Sequence, residues 1–373
     1  MKLCLIYNYA QHYRAGIFKL ISEVYDCDFY FGDSMADVQK LDYSLLQGDV
    51  KETHTYRLFG GWYWQFGIVP LLNKSYTDYI LLGETRSLST WLFSILARLF
   101  YRRKRVFFWT HGWYGKESRI ESFVKKLYFK LPNGGVFLYG NYARELMIKK
   151  GFRKDKLFTI HNSLDYEKQI HVRDTLRFSD IYNTHFHNFG YNLIFIGRLT
   201  AVKKLDMIIK SLKICREGGF DINCTIVGEG TESLKLRDLV ERMGLDDRVW
   251  FYGPCYDEEK IGELIFNADV CVSPGNVGLT AMHSLVFGTP VITHNKYSLQ
   301  MPEFEAIIEG KTGSFFTYDD IDSLACTIQK WLIEKGEDRD IIRQNCFNEI
   351  DKNWTPKFQI DVFSKILNNK AQC

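Results

Sequence analysis

Two tandem series of short, continuously apolar runs, each followed by an amphipathic stretch, constrain this chain more than any other feature of its sequence. In the first series the runs fall at 3–7, 28–31, 79–82, 105–109, 136–138 and 156–160, with helical patterns at 17–25, 88–100, 120–129 and 142–150. In the second they fall at 193–196, 222–227, 249–251, 270–272, 291–293 and 314–316, with helical patterns at 205–216, 232–243, 258–267, 280–287 and 320–334. Strands apolar on both faces and separated by helices form parallel sheets covered on both sides. A length of 373 residues exceeds what one core usually holds. The pattern therefore predicts an α/β protein of two doubly wound, Rossmann-like domains facing across a cleft. The first domain is expected over 1–165 and the second over 192–355, with a polar connection at 166–191 and a last amphipathic helix at 356–373. Ligands of open parallel sheets bind beyond the C-terminal ends of the strands, so the residues just after each strand are the functional candidates.

Composition narrows the classes of function. A net charge of +3 from 48 basic and 45 acidic residues gives little support for nucleic-acid binding. Nine cysteines without CxxC spacing, several inside strand-like runs, predict reduced thiols in a cytoplasmic protein and no zinc site. The apolar run at the start is too short for a secretory signal, and no run reaches the roughly 18 residues of a membrane-spanning helix. The charge is unevenly spread: residues 101–130 hold nine Lys/Arg against two Glu, interleaved with Phe123, Leu127, Tyr128 and Phe129. Cations and aromatics on one amphipathic segment suit peripheral contact with an anionic membrane, here its inner, cytoplasmic face. A solvated helix turning its aromatics inward fits the same pattern.

The chemistry-bearing segments begin after 193–196, where Gly197-Arg198-Leu199-Thr200-Ala201-Val202-Lys203 leads into a helical run. Glycine lets the backbone turn closely around a ligand, arginine offers a planar fork to phosphate oxygens, and lysine adds a point charge. The helix that follows presents unpaired N–H groups to anions. Further strand ends carry Gly228-Glu229-Gly230, Tyr252-Gly253-Pro254 and Pro274-Gly275-Asn276-Val277-Gly278-Leu279-Thr280. A dinucleotide fingerprint is excluded at Gly228, because position 233 is Ser and the turn is not the first of its domain.

This ordered series, from about 192 to 316, resembles the retaining glycosyltransferases of GT-B architecture, glycosyltransferase family 4. The resemblance implies a nucleoside-diphosphate sugar as donor, uridine-linked, with Arg198 and Lys203 on its diphosphate. It implies Tyr252, Gly253 and Pro254 around the nucleobase, Gly228 and Gly230 lining the same pocket, and the helix start at Gly278, Leu279 and Thr280 near phosphate or ribose. The family's two glutamates eight residues apart, one for the donor sugar and one for the ribose, fall on Gly275 and His283. His283 is then the candidate for the ribose, while Asn276, Glu303 or Glu305 would serve the sugar end, and Val277 belongs to the same donor-binding turn. Glu305 falls where the family commonly has a glutamate, and Glu303 is an extra acid. In the first domain, His111 follows the run 105–109 where the family has a histidine facing the donor sugar. His111, Arg198 and Lys203 are thus the expected catalytic set.

Arg14, Glu84 and Arg86, at other strand ends of the first domain, are candidates for the acceptor, a glycan or a lipid-linked glycan. By resemblance the last helix crosses back onto the first domain. The implied reaction is transfer of a hexose-type sugar to an acceptor hydroxyl with retention, in bacterial surface polysaccharide or glycolipid assembly. No acidic metal-binding pair follows a strand in the right place, so neither a metal nor any other cofactor is expected. A nucleotide-sugar epimerase, a phosphorylase or a non-catalytic nucleotide-binding homologue would share the architecture.

Overall fold

The computed structural model describes residues 2–33, 38–336 and 338–369. The last four residues of the expected C-terminal helix, 370–373, lie outside them. The chain divides into two compact units, Met1–Asp165 with Thr355–Cys373, and Tyr166–Trp354.

The first unit is built on β1 (Lys2–Tyr7), β2 (Asp26–Gly32), β3 (Val50–Thr53), β4 (Thr55–Arg57), β5 (Tyr63–Gln65), β6 (Asp78–Leu82), β7 (Arg105–Thr110), β8 (Gly135–Leu138) and β9 (Leu157–Thr159). Seven of these form one sheet in the order β3-β2-β1-β6-β7-β8-β9, every pair parallel, while β4 and β5 form a separate antiparallel ribbon. Parallel neighbours need crossovers, and these are α1 (Ala15–Val24), α2 (Leu88–Phe100), α3 (Arg119–Tyr128) and α4 (Asn141–Lys149). Side-chain oxygens start two of them: Ser87 accepts from Thr90 N and Ser118 from Glu121 N. Leu3, Leu5 and Tyr7 point to one face of the sheet and Cys4 and Ile6 to the other, so both faces carry a core.

The second unit carries α5 (Tyr166–Thr175), α6 (Ile181–Phe186), β10 (Tyr191–Ile196), α7 (Asp206–Glu217), β11 (Ile222–Val227), α8 (Ser233–Met243), β12 (Val249–Gly253), α9 (Glu258–Asn267), β13 (Val270–Ser273), α10 (Leu279–Val286), β14 (Val291–His294), β15 (Gly313–Phe316), α11 (Ile321–Lys335) and α12 (Arg339–Asn353). Its six strands are all parallel in the order β12-β11-β10-β13-β14-β15. The order reverses beside β10, so the loop after β10 lies at a switch point, where such sheets place their ligands.

The final helix, α13 (Pro356–Leu367), sets Ile360, Phe363 and Leu367 into the core of the first unit. The stretch 166–191, expected as a polar connection without periodicity, is instead folded into α5 and α6. Gln169 on α5 donates to Glu258 on α9 at 3.0 Å, and the Tyr182 hydroxyl on α6 donates to the Leu264 carbonyl at 2.6 Å. Polar and aromatic anchors hold these helices, which is why hydrophobic spacing does not reveal them.

Candidate functional site

The loop after β10 is shaped by contacts between backbones. The Gly197 amide donates to Val227 O, and Leu199 N to Glu229 O, each at 3.0 Å. A Cβ on Gly228 would lie 1.9 Å from Gly197 O, and one on Gly230 2.3 Å from Leu199 O. These two glycines, expected as pocket lining, let the ends of β10 and β11 touch. The Gly253 carbonyl, one of the backbone groups expected for a nucleobase, already accepts from the Gly228 amide at 2.8 Å. Tyr252 is half-buried and Pro254 exposed on the same loop.

This loop presents Arg198 as an exposed guanidinium with no carboxylate in ion-pair distance among the described residues. Lys203, half-buried, is held differently: its Nζ donates to Asn276 O at 2.7 Å, Asn276 Oδ1 at 3.1 Å and Val277 O at 3.4 Å. Burial pulls the Lys203 pKa down to about 8, and the charge of Arg198 adds to that effect against the opposing pull of Glu303 and Cys271. The two cations therefore share one electrostatic environment at the C-terminal edge of the sheet.

The 275–278 turn is locked against this edge. The Gly275 amide donates to Lys203 O at 3.0 Å, and a Cβ there would meet Val202 O at 2.0 Å. Asn276, expected at a donor sugar, is engaged by Lys203. Gln300, buried on the neighbouring segment, accepts from Val277 N at 2.8 Å and donates to Thr293 Oγ1 and His294 O. Gly278 caps α10 at φ 53°, ψ −146°, a conformation open to glycine. The Thr280 hydroxyl is spent on Ile196 O at 2.9 Å, which leaves its backbone amide and that of Leu279 as first-turn N–H groups without an intrahelical acceptor.

His283, expected at the ribose, has Nε2 bonded to Glu258 Oε1 at 3.0 Å. Burial works to raise the Glu258 carboxyl, but His283 and Gln169 outweigh it and hold its pKa below the ordinary value. Sequence reading missed this carboxylate because it stands 25 positions from its partner on another helix. Glu303, buried, and Glu305, half-buried, share the short turn Pro302–Ala306, and Glu303 is the one whose charge reaches Lys203.

The first unit gathers a second cluster. His111, Arg14 and Glu84 line one cavity of about 350 Å³ at the C-terminal ends of β1, β6, β7 and β8, whereas Arg86 is exposed outside it. The His111 ring is half-buried, and its Nδ1 is buried without a hydrogen-bond partner. Burial, aided by the charges of Arg14 and Lys125, lowers its pKa to about 4, so the imidazole is neutral at physiological pH. The loop behind it is held by Glu117, which accepts from Tyr114 N at 2.7 Å and Gly115 N at 2.9 Å and pairs with Lys125 at 2.7 Å. Lys125, on the segment read either as a membrane-facing or as a solvated helix, is thus buried in this network, and Tyr128 and Phe129 also pack inward.

Parallel strand order, the switch-point loop and the two doubly wound units together define the fold of GT-B glycosyltransferases. Residues 188–348, within the second unit, match the family model described as glycosyl transferases group 1. Across 99% of this chain and 100% of its own, the Anabaena Alr3699/HepE protein in complex with UDP is similar, with a TM-score of 0.72 at 16% identity. A glycosyltransferase from Rickettsia africae reaches a TM-score of 0.74 at 14% identity, covering 99% of both chains. The lipopolysaccharide outer core galactosyltransferase WaaB, in its apo form, reaches 0.71 at 14% identity over 99% of this chain and 100% of its own. No curated protein matches the chain in sequence.

Proposed function

We propose that this protein moves a hexose-type sugar from a uridine-diphosphate sugar to an acceptor hydroxyl with retention at the anomeric carbon, as an enzyme of glycosyltransferase family 4. The observation that carries this reading is the pair Arg198 and Lys203. One cation is exposed and unpaired by any carboxylate among the described residues, the other is seated on carbonyl oxygens, and both stand at the switch point of a parallel sheet. An arginine fork and a lysine beside a helix start suit a diphosphate, and they stabilise the charge that grows on it as the sugar leaves. These residues supply that stabilisation without a metal. His111, neutral, offers the sugar a hydrogen bond rather than a charge. The Alr3699/HepE protein, observed with UDP, supports uridine as the base.

The acceptor side belongs at the inner face of the cytoplasmic membrane, in assembly of bacterial surface polysaccharide or glycolipid. Leu88, Leu92, Ile95 and Leu99 form an exposed stripe along α2, and Ile120, Phe123 and Leu127 another along α3. The two helices are neighbours, since Arg98 on α2 donates to Lys130 O just past α3 at 2.6 Å. Exposed Arg98, Arg102, Arg103, Arg119, Lys126 and Lys130 accompany the stripes, the composition that favours an anionic surface. No helix among the described residues is long and apolar enough to cross a membrane.

A thermal-shift series of nucleoside diphosphates and their sugars tests the donor reading. UDP and a UDP-sugar should raise the melting temperature of the wild type, EDTA should leave that shift intact, and Arg198→Ala should abolish it with little change in the unliganded protein. A protein that no nucleotide stabilises is not a glycosyltransferase of this kind.

A further inference from the structure

In the first unit a positive charge is buried without a negative partner. Arg14 closes the short turn that leads into α1 and is 6% exposed. Its guanidinium lies 5.2–5.9 Å from the ring centroids of Tyr7, Tyr13, Trp109 and Tyr139. Aromatic faces attract a cation but accept few of its hydrogen bonds. Nε and Nη1 of Arg14 have no hydrogen-bond partner, and no carboxylate among the described residues lies within ion-pair distance of it. A buried guanidinium is ordinarily paired, because removing it from water without a partner is costly.

The Tyr139 side chain gives Arg14 a hydrogen bond but no negative charge, and the other surrounding groups do not supply one. Lys125, the other cation lining the cavity, already has Glu117. Glu84, the acid lining it, accepts from the Tyr63 hydroxyl at 3.0 Å and makes no ion pair with Arg14. His111, also among the lining residues, has an Nδ1 that is buried without a hydrogen-bond partner. The cavity volume of about 350 Å³ is that of a small-molecule site.

We infer that this cavity receives an acceptor bearing an oxyanion, the carboxylate of an acidic sugar or the phosphate of a phosphorylated glycan or lipid headgroup, with Arg14 as its counter-charge. The inference rests on the glycosyltransferase reading and names the class of acceptor. Arginine's fixed fork matches either group bidentately, and the aromatic walls suit the apolar faces of a sugar ring. A neutral glycan would leave the buried charge uncompensated in the complex.

Tryptophan fluorescence reads the site directly, because Trp109 stacks at Arg14. The full chain would be titrated with methyl glucuronoside, glycerol phosphate and methyl glucoside, with UDP binding measured in parallel. At least one anionic probe should bind ten-fold or more tightly than methyl glucoside, and the tighter of the two identifies carboxylate or phosphate. Arg14→Gln should erase that preference while UDP binding persists, and Arg14→Lys should retain part of it. If methyl glucoside binds as well as both anions, or if folded Arg14→Gln keeps the preference, the inference fails. Should Arg14→Gln not fold, the wild-type comparison of the three probes decides. UDP binding with no anion preference removes only the acceptor class, whereas absent UDP binding removes the donor reading beneath it.

Discussion

The two units hold cations at the ends of parallel sheets in opposite ways. In the second unit Arg198 stands in solvent and Lys203 rests on the carbonyls of Asn276 and Val277, on a loop whose shape is set by glycines packed backbone to backbone. In the first unit Arg14 and Lys125 are buried, one among aromatic rings and one on Glu117, and side chains do the positioning. An exposed arginine is cheap to maintain and ready for a highly charged, water-borne ligand. A buried one costs stability in the empty protein and so discriminates among ligands by whether they bring compensation. On the proposed reading, a site for a diphosphate common to many donors and a site for one kind of acceptor would differ in this way.

The largest effect should come from disturbing the backbone contact. Gly228→Ala places a methyl group 1.9 Å from Gly197 O at a φ of 139°, and both the clash and the backbone angle oppose it. A loss of about 3 kcal/mol or more in urea unfolding is expected. A wild-type midpoint would show that the loops have slack and that the contrast between the units is overdrawn. Next, His111→Ala should lower kcat about 100-fold or more while UDP affinity changes less than about three-fold, since His111 lies in the other unit from Arg198 and Lys203. Equal loss of both would move His111 into donor binding.

The smallest effect concerns pH. Lys203 has a folded pKa of about 8 against 10.5 for a free lysine. Between these values the unfolded chain binds more protons, so the contribution of this group to stability rises with pH through that window. Its cost is present in full below about pH 8. Diphosphate favours the charged form, so UDP affinity should be flat between about pH 7 and 8, where the terminal phosphate is ionised, and fall, by up to about ten-fold per unit, above it. Lys203→Met should flatten both profiles. A wild-type affinity unchanged to pH 9.5 would mean that Lys203 does not meet the nucleotide.

Much of this was legible in the sequence where side chains repeat along an element. The strands from Leu3 to Phe316 that run apolar on both faces, and the helices between them, lie within a few residues of their expected bounds. Elements whose stability comes from elsewhere were not. Strand β3, Val50-Lys51-Glu52-Thr53, is an edge with polar side chains, and β4 and β5 are three residues each. Helix α12 buries Ile342, Cys346 and Ile350 in a narrow stripe on an otherwise charged surface. At the site, Arg198 and Lys203 stand out through residue type and spacing, but the carbonyls that seat Lys203 carry no sequence signature. Nor do the pairing of His283 with Glu258 or the bonds of Gln300, which join positions brought together only by folding.

The closing helix imposes an order on synthesis. Gln359 is fully buried, accepts from Ser163 Oγ at 2.7 Å and donates to His161 O at 2.8 Å, while Phe363 packs edge-on against Trp109 and Phe137. A nascent chain that has reached Asp165 therefore still lacks part of the core of its first unit and must wait, apolar surface uncovered, until the whole second unit has left the ribosome. The second unit has no such dependence, so on the ribosome the later half of the chain is the one able to fold first.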